Sequence, residues 1–285
     1  MKIISRFVMY FMFFGTSTLH FLTREMAPML VPMICSEFGY STQQRGLLLG
    51  SYFPGYIIGQ IPSAMLAAKI GGRATLTLAN IGTIATMLAT PLVAGSVPAL
   101  ALVTTLLGLV GGSMFPVSGM LKRVWIPPSI PAAERAFALR VTTWGVNIGR
   151  FLTAILTASL SARYGWQKVP VIYAAIVAIF AVPFQLLAAD SPTAWAKSPG
   201  LRPAMSASEM KMLNVDLDAK PEEAAAETAA PARKMADYKF LVSIAALCPT
   251  ILHTADNMTS YCLAYWAPTC EPLLRKSCMS VSTSD

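Results

Sequence analysis

The sequence predicts an all-α membrane protein: a six-span bundle over residues 1–188, followed by one further span. Three observations carry this reading. From Ala74 to Leu121 there is no Asp, Glu, Lys or Arg, although a single bilayer crossing needs only about 20 apolar residues. The chain is 55% hydrophobic and only 13% charged. Short turn or basic stretches divide the apolar length, as expected for helices joined by tight connections.

Taken in order, the first span begins near Phe7 and ends between Thr23 and Met33. The second covers 46–68 and is closed by Lys69-Ile70-Gly71-Gly72-Arg73. The third (75–94) and fourth (98–121) are separated by the turn Gly95-Ser96-Val97-Pro98. The fifth covers 136–162, the sixth 169–187 and the seventh 240–266. Residues 189–239 are rich in Ala, Pro, Glu and Lys and poor in aromatics, which predicts a flexible loop. Within it, Ser206-Ala207-Ser208-Glu209 reads as the capping box of one short helix. Residues 267–285 form a polar tail.

Lys and Arg concentrate on the cytoplasmic side of membrane proteins. With the N-terminus inside, that side holds Lys2, Arg6, Lys69, Arg73, Lys122, Arg123 and Arg135, and the other holds Arg45, Arg163 and Lys168. This places the long loop in the cytoplasm. The apolar sequence continues past the first span without a small-residue cleavage site, so that span is read as uncleaved.

Several function classes fall away. The net charge of +8 follows from basic loops, so no nucleic-acid partner is implied. Five cysteines show neither metal-ligand nor disulfide spacing. No nucleotide-binding loop, metal cluster or nucleophile–base pair occurs, so the chain is not read as an enzyme, and no cofactor is expected. Glycines four apart (Gly46/Gly50, Gly55/Gly59, Gly145/Gly149) allow close helix approach and are candidate faces for self-association.

The fifth span carries the clearest functional pattern. At 100° per residue, Arg140, Thr143, Asn147, Arg150, Thr157 and Ser161 fall within an arc of about 100°. Lipid cannot cover that stripe, because an Arg near the bilayer centre costs at least about 2.5–3.5 kcal/mol. It must face a water-filled cavity or a partner. Arg150 is therefore either an anion-binding group, with Asn147 one turn earlier orienting the substrate, or a structural cation paired with an acid on another helix. Span one adds His20, Arg24 and Glu25. Guanidinium groups grip carboxylate or phosphate bidentately. Arg24–Glu25 alternatively marks a solvated helix end, and His20 is either a hydrogen-bonded structural residue or a proton relay. Asp256 in the seventh span is a coupling group or a partner for an Arg.

Ordered motifs tie these spans to a known family. The stretch from Gly50-Ser51-Tyr52-Phe53-Pro54-Gly55-Tyr56 to Gly59-Gln60-Ile61-Pro62, then Lys69, Gly71 and Arg73, resembles the second span and following loop of the anion:cation symporters of the major facilitator superfamily. Gly108-Leu109-Val110-Gly111-Gly112 with Phe115-Pro116, and Trp125-Ile126-Pro127-Pro128 before Glu134-Arg135, are similar to its fourth span and next loop. Gly145, Gly149, Tyr164-Gly165-Trp166, Asp190-Ser191-Pro192 and Trp266-Ala267-Pro268-Thr269 follow in family order. Ala68 replaces the acid of the loop after span two. Thr104 stands at the family's Arg in span four, and Gly111 stands at the neighbouring acid of the glutamate carriers.

The resemblance implies a major facilitator-type N-terminal bundle plus one helix, from a carrier cut short after its seventh span. It implies alternating-access transport of a small organic or inorganic anion, with Na+ or H+ as coupling ion. Arg24, Arg150, Asn147 and Arg140 would bind substrate. His20, Glu25 and Asp256 would serve coupling, and Lys69, Gly71 and Arg73 would form a conformational loop. Two alternatives stand beside this reading: an inactive fragment, and a seven-helix receptor, which the cytoplasmic N-terminus disfavours.

Overall fold

The computed structural model describes residues 5–197 and 200–217. Helices and turns account for them, with no strand among the described residues. The predicted seventh span with Asp256, and the tail from 267, lie outside the described residues.

The first rod is α1 (Ser5–Arg24) followed by α2 (Met26–Phe38), and the second is α3 (Thr42–Gly50) followed by α4 (Tyr52–Ile70). A third, unbroken rod is α5 (Gly72–Val93); the fourth is α6 (Val97–Gly111) with α7 (Met114–Trp125). Single helices make the last two: α8 (Ala132–Tyr164) and α9 (Lys168–Leu187). Of these, α5, α6–α7 and α9 are each long and apolar enough to cross a membrane. The other three are split or carry polar side chains, as the sequence required.

Prolines explain the breaks. Pro28, Pro54 and Pro116 each stand third in the helix after an interruption. Proline has no N–H for the carbonyl four residues back, which here belongs to Arg24, Gly50 or Gly112. Each rod nevertheless stays continuous. The Glu25 N–H donates to Phe21 O (3.0 Å), Ser51 N–H to Leu47 O (2.9 Å) and Gly112 N–H to Gly108 O (2.8 Å). Consequently the first rod runs on to Phe38, past the end expected between Thr23 and Met33. Arg24 and Glu25 are buried inside it rather than solvated at its tip.

In the bundle α1 packs on α8, α4 on α6, and α5 on both α6 and α9. Glycines set two of these crossings. A Cβ on Gly55 would lie 1.9 Å from Thr105 O, and one on Gly59 would lie 2.1 Å from Leu109 O. From the other helix, Gly108 faces Tyr52 O at 2.0 Å and Gly112 faces Tyr56 O at 2.6 Å. Gly145 and Gly149 likewise meet Phe14 O (2.5 Å) and Thr18 O (2.4 Å) of α1. These pairs are consumed within the chain, so self-association through Gly55/Gly59 or Gly145/Gly149 is not available, whereas Gly50 faces open space.

Two apolar cores occupy the ends of the bundle. Met9, Phe13, Leu76, Leu121 and Trp125 build the one nearer the N-terminus. Leu30, Ile34, Leu48, Met87 and Tyr173 build the other. Polar side chains collect in the layer between them.

Residues 189–197 and 200–217 are packed where the sequence predicts flexibility. Trp195 of α10 (Pro192–Lys197) is fully buried, and its ring meets Trp125 edge-on at 5.4 Å. The Trp125 indole N–H donates to Ala189 O at 3.0 Å. The short helix α11 (Ala207–Met212) forms as predicted, and Ser206 Oγ accepts from the Glu209 N–H at 3.2 Å. Its box is left open, because the Glu209 carboxylate turns to the start of α1 instead. There it accepts from Arg6 N–H (2.9 Å) and Ser5 Oγ (3.4 Å). An anion at a helix N-terminus satisfies orphan amide donors and the helix dipole together.

Candidate functional site

Two of the three arginines predicted to bind substrate, Arg24 and Arg150, lie at mid-rod beside one aromatic ring. The Arg24 guanidinium carbon is 5.6 Å from the centroid of Phe21, and that of Arg150 is 4.8 Å from it. Arg24 is 2% exposed and also lies over Tyr52 (5.2 Å) and Tyr56 (4.9 Å). A desolvated cation over aromatic faces gains about 2 kcal/mol or more, which offsets part of the burial cost. Arg150 is different: 42% of its side chain is open, and its Nε is 3.7 Å from Glu25 Oε1. The acid that the structural alternative required is therefore present, at the residue next to Arg24.

The gap at Glu25 accounts for this placement. Pro28 cannot donate to the Arg24 carbonyl, and the helix is interrupted there while the rod continues. The α8 helix can approach closely because Gly145 and Gly149 lie against α1. Thr153 Oγ1 also donates to Leu22 O at 3.2 Å. Arg150 projects beside this contact and remains exposed.

The polar stripe divides. Arg140, Thr143 and Asn147 are exposed along with Arg150, on one continuous face of α8. Thr157 is fully buried and pairs with the Tyr173 hydroxyl at 2.8 Å. Ser161 Oγ is buried with no hydrogen-bond partner among the described residues. Only the 140–150 section can meet a solute.

His20 lies one turn before Arg24 on α1, but its side chain borders a cavity of its own. It lines a cavity of about 30 Å³ with Thr16, Thr23, Asn80, Thr83 and Ser113, roomy enough for ordered water. Its Nε2 is buried and lacks a hydrogen-bond partner among the described residues. Its ring meets Phe21 edge-on at 5.2 Å. His20 and Glu25 thus lie on one rod but in separate settings.

The predicted conformational loop is a capped helix start. Gly71 has φ +90° and ψ 155°, a conformation only glycine adopts readily. Asp190 Oδ1 accepts the Arg73 N–H at 2.7 Å. A Cβ on Gly71 would stand 2.8 Å from Asp190 Oδ2. The Arg73 side chain reaches Gln185 O and Ala188 O at 3.5 Å, and Arg202 Nη2 donates to Ala188 O at 2.8 Å. These cations cap the carbonyl end of α9. Partial burial, then Arg73, lowers the Arg202 pKa, and Asp190 opposes the shift. Lys69 is exposed.

Sequence reasoning missed Phe21, Tyr52 and Tyr56 as the aromatic surround of the arginines. Tyr52 and Tyr56 sit four residues apart on one helix face within the motif already singled out. Phe21 left no such signal.

A model of the Major Facilitator Superfamily matches residues 7–271. Sialin of Homo sapiens is 30% identical over 157 residues, covering 55% of this chain and 31% of sialin. Probable anion transporter 5 of Arabidopsis thaliana is 27% identical over 164 residues, 58% of this chain and 37% of the relative. The voltage-gated purine nucleotide uniporter of Homo sapiens is 30% identical over 159 residues, 54% of this chain and 35% of the relative. The matched stretch spans only about a third of these relatives' lengths.

Proposed function

Because the chain belongs to the Major Facilitator Superfamily, a group of multi-pass integral membrane proteins, we propose that it takes part in secondary transport of a small organic or inorganic anion. The observation that carries this reading is the pair of guanidinium groups flanking Phe21 at mid-rod, one of them exposed. Charged groups at that depth mark solute pathways far more often than lipid-facing surface. Two relatives are named for carrying an anion or a purine nucleotide, which agrees with a cationic site.

In this proposal the anion reaches the exposed 140–150 face of α8 and displaces Glu25 from Arg150. Arg150 then binds it by its planar fork, Asn147 orients it, and buried Arg24 supplies fixed positive charge. Arg140, three turns nearer the N-terminal end, attracts the anion on its way. The released Glu25 carboxylate is the group through which Na+ or H+ binding is coupled, with His20 reached through its separate polar cavity. The N-terminus is cytoplasmic, and Lys69, Gly71 and Arg73 form a rigid corner on that side. Alternating access usually sets two repeats rocking around a central site; the described residues supply one wall of that site.

The test is thermal stabilisation of the purified chain by inorganic phosphate, glutamate, a sugar acid and a purine nucleotide, against organic cations at equal ionic strength. Stabilisation by at least one anion and none of the cations is expected. Stabilisation by cations alone contradicts the reading.

A further inference from the structure

A second crevice, on the apolar outside of the bundle, has a construction unlike that of the arginine site. It lies between α4, α5 and α6 and measures about 230 Å³. Its floor is made of small buried residues, Gly59, Thr75 and Ser113, and its rim of exposed leucines, Leu66, Leu78 and Leu109. The hydroxyls in it are turned inward along their own helices. Ser63 Oγ donates to Gln60 O (2.9 Å), Thr75 Oγ1 to Gly71 O (2.8 Å) and Ser113 Oγ to Val110 O (2.7 Å). What faces the opening is hydrocarbon. Ala79, Val110 and Ser113 line both this crevice and the His20 cavity, forming part of the wall between them.

We propose that this crevice binds the acyl chain of an anionic phospholipid. The bilayer is the medium around an integral membrane protein at this depth, and an unfilled crevice forfeits dispersion contacts along its whole lining. A helix about 10–12 Å across does not enter a space of this size. A headgroup finds no free hydrogen-bonding group on the floor. An unbranched chain satisfies both limits. Lys69, exposed and one turn beyond Leu66 on the same helix face, stands at the end of the crevice where the headgroup lies, and its charge selects an anionic one. Nothing in this assignment depends on the proposed transport of an anion.

The experiment uses the whole chain in nanodiscs containing a phospholipid with a photoactivatable diazirine at mid-acyl chain, in anionic and zwitterionic forms, with labelled residues read by mass spectrometry. Labelling of Leu66, Leu78 and Leu109 is expected at several times the level of Ile179, a 74%-exposed control on α9. Ser63→Phe fills the crevice and is expected to reduce rim labelling at least fivefold without changing Ile179. Lys69→Gln is expected to remove the preference for the anionic form. Should Ser63→Phe fail to fold, Leu78→Trp at the exposed rim serves the same purpose. Rim labelling equal to that of Ile179, or unchanged in a folded blocked variant, overturns the proposal. So does a disulfide from Ser63→Cys to Cys248 or Cys262 of the same chain, which would place the chain's own residues there.

Discussion

Arg150 Nε and Glu25 Oε1 lie 3.7 Å apart, joining the fifth rod to the break in the first. The pair makes Arg150 both a structural cation and an exposed one. Removing one partner of a buried pair leaves an uncompensated charge. For Arg150→Leu the loss is expected to be about 1–2 kcal/mol, below the roughly 3–5 of a fully buried pair, because solvent reaches Arg150. Adding Glu25→Gln to Arg150→Leu removes the stranded charge and should recover most of that loss. A double-mutant cycle on thermal unfolding in detergent measures it; additive effects would show that the two residues do not interact.

The crossing of α4 and α6 predicts a sharp contrast between glycines. Gly108→Ala puts a Cβ 2.0 Å from Tyr52 O, whereas Gly119 has open space around it. Gly108→Ala should lower the melting temperature by several degrees and reduce yield. Gly119→Ala should be neutral or stabilising by about 0.5–1 kcal/mol, the helix-propensity difference. Equal melting temperatures for the two would contradict the packing described.

At the α5 start, Gly71→Ala combines a conformation disfavoured by about 1–3 kcal/mol with a clash against Asp190. Asp190→Ala removes only a helix cap, worth about 0.5–2 kcal/mol. Gly71→Ala should therefore be the more destabilising, and the double variant should show less than the sum, because the clash partner is gone. Thermal unfolding of the three forms checks the order.

The clasp between Glu209 and the start of α1 predicts protease behaviour. Glu209→Ala removes the acceptor for Arg6 N–H and Ser5 Oγ. Trypsin should then cut after Lys211 several times faster than in the parent, while the six-rod bundle stays intact on a gel. An unchanged digestion rate would mean that Trp195 and Leu213, both buried, hold the segment without Glu209.

Much of this was legible in the sequence, and the failures have identifiable causes. The rods, the family and the capped helix at Ser206 follow from charge-free length, ordered motifs and local capping chemistry. Charge counting placed the end of the first rod too early, since Arg24-Glu25 looks like a helix terminus; burial among Phe21, Tyr52 and Tyr56 is a tertiary property. The stripe on α8 was correct in angle, but periodicity on one helix cannot tell that Tyr173 covers Thr157. The glycine pairs were recognised as packing surfaces, while their partners, the backbone carbonyls of α1 and α6, belong to the fold. Composition missed the packing of residues 189–197 and 200–217 because a few side chains, Trp195, Leu213 and Glu209, anchor a stretch that is otherwise polar and Ala-rich.

The central claim is that Arg150 binds an anion in addition to pairing with Glu25, and one measurement separates these roles. Anion-dependent thermal stabilisation is recorded for the parent, Arg150→Lys, Glu25→Gln, and Arg150→Leu combined with Glu25→Gln. The double variant is chosen because it restores charge balance, so that lost binding is not mistaken for lost folding. The account predicts a stronger anion response in Glu25→Gln, where Arg150 is released, and a weaker one in Arg150→Lys, which keeps the charge but loses the planar fork. It predicts no response in a folded double variant. An undiminished anion response in that double variant would contradict it and remove Arg150 from the site.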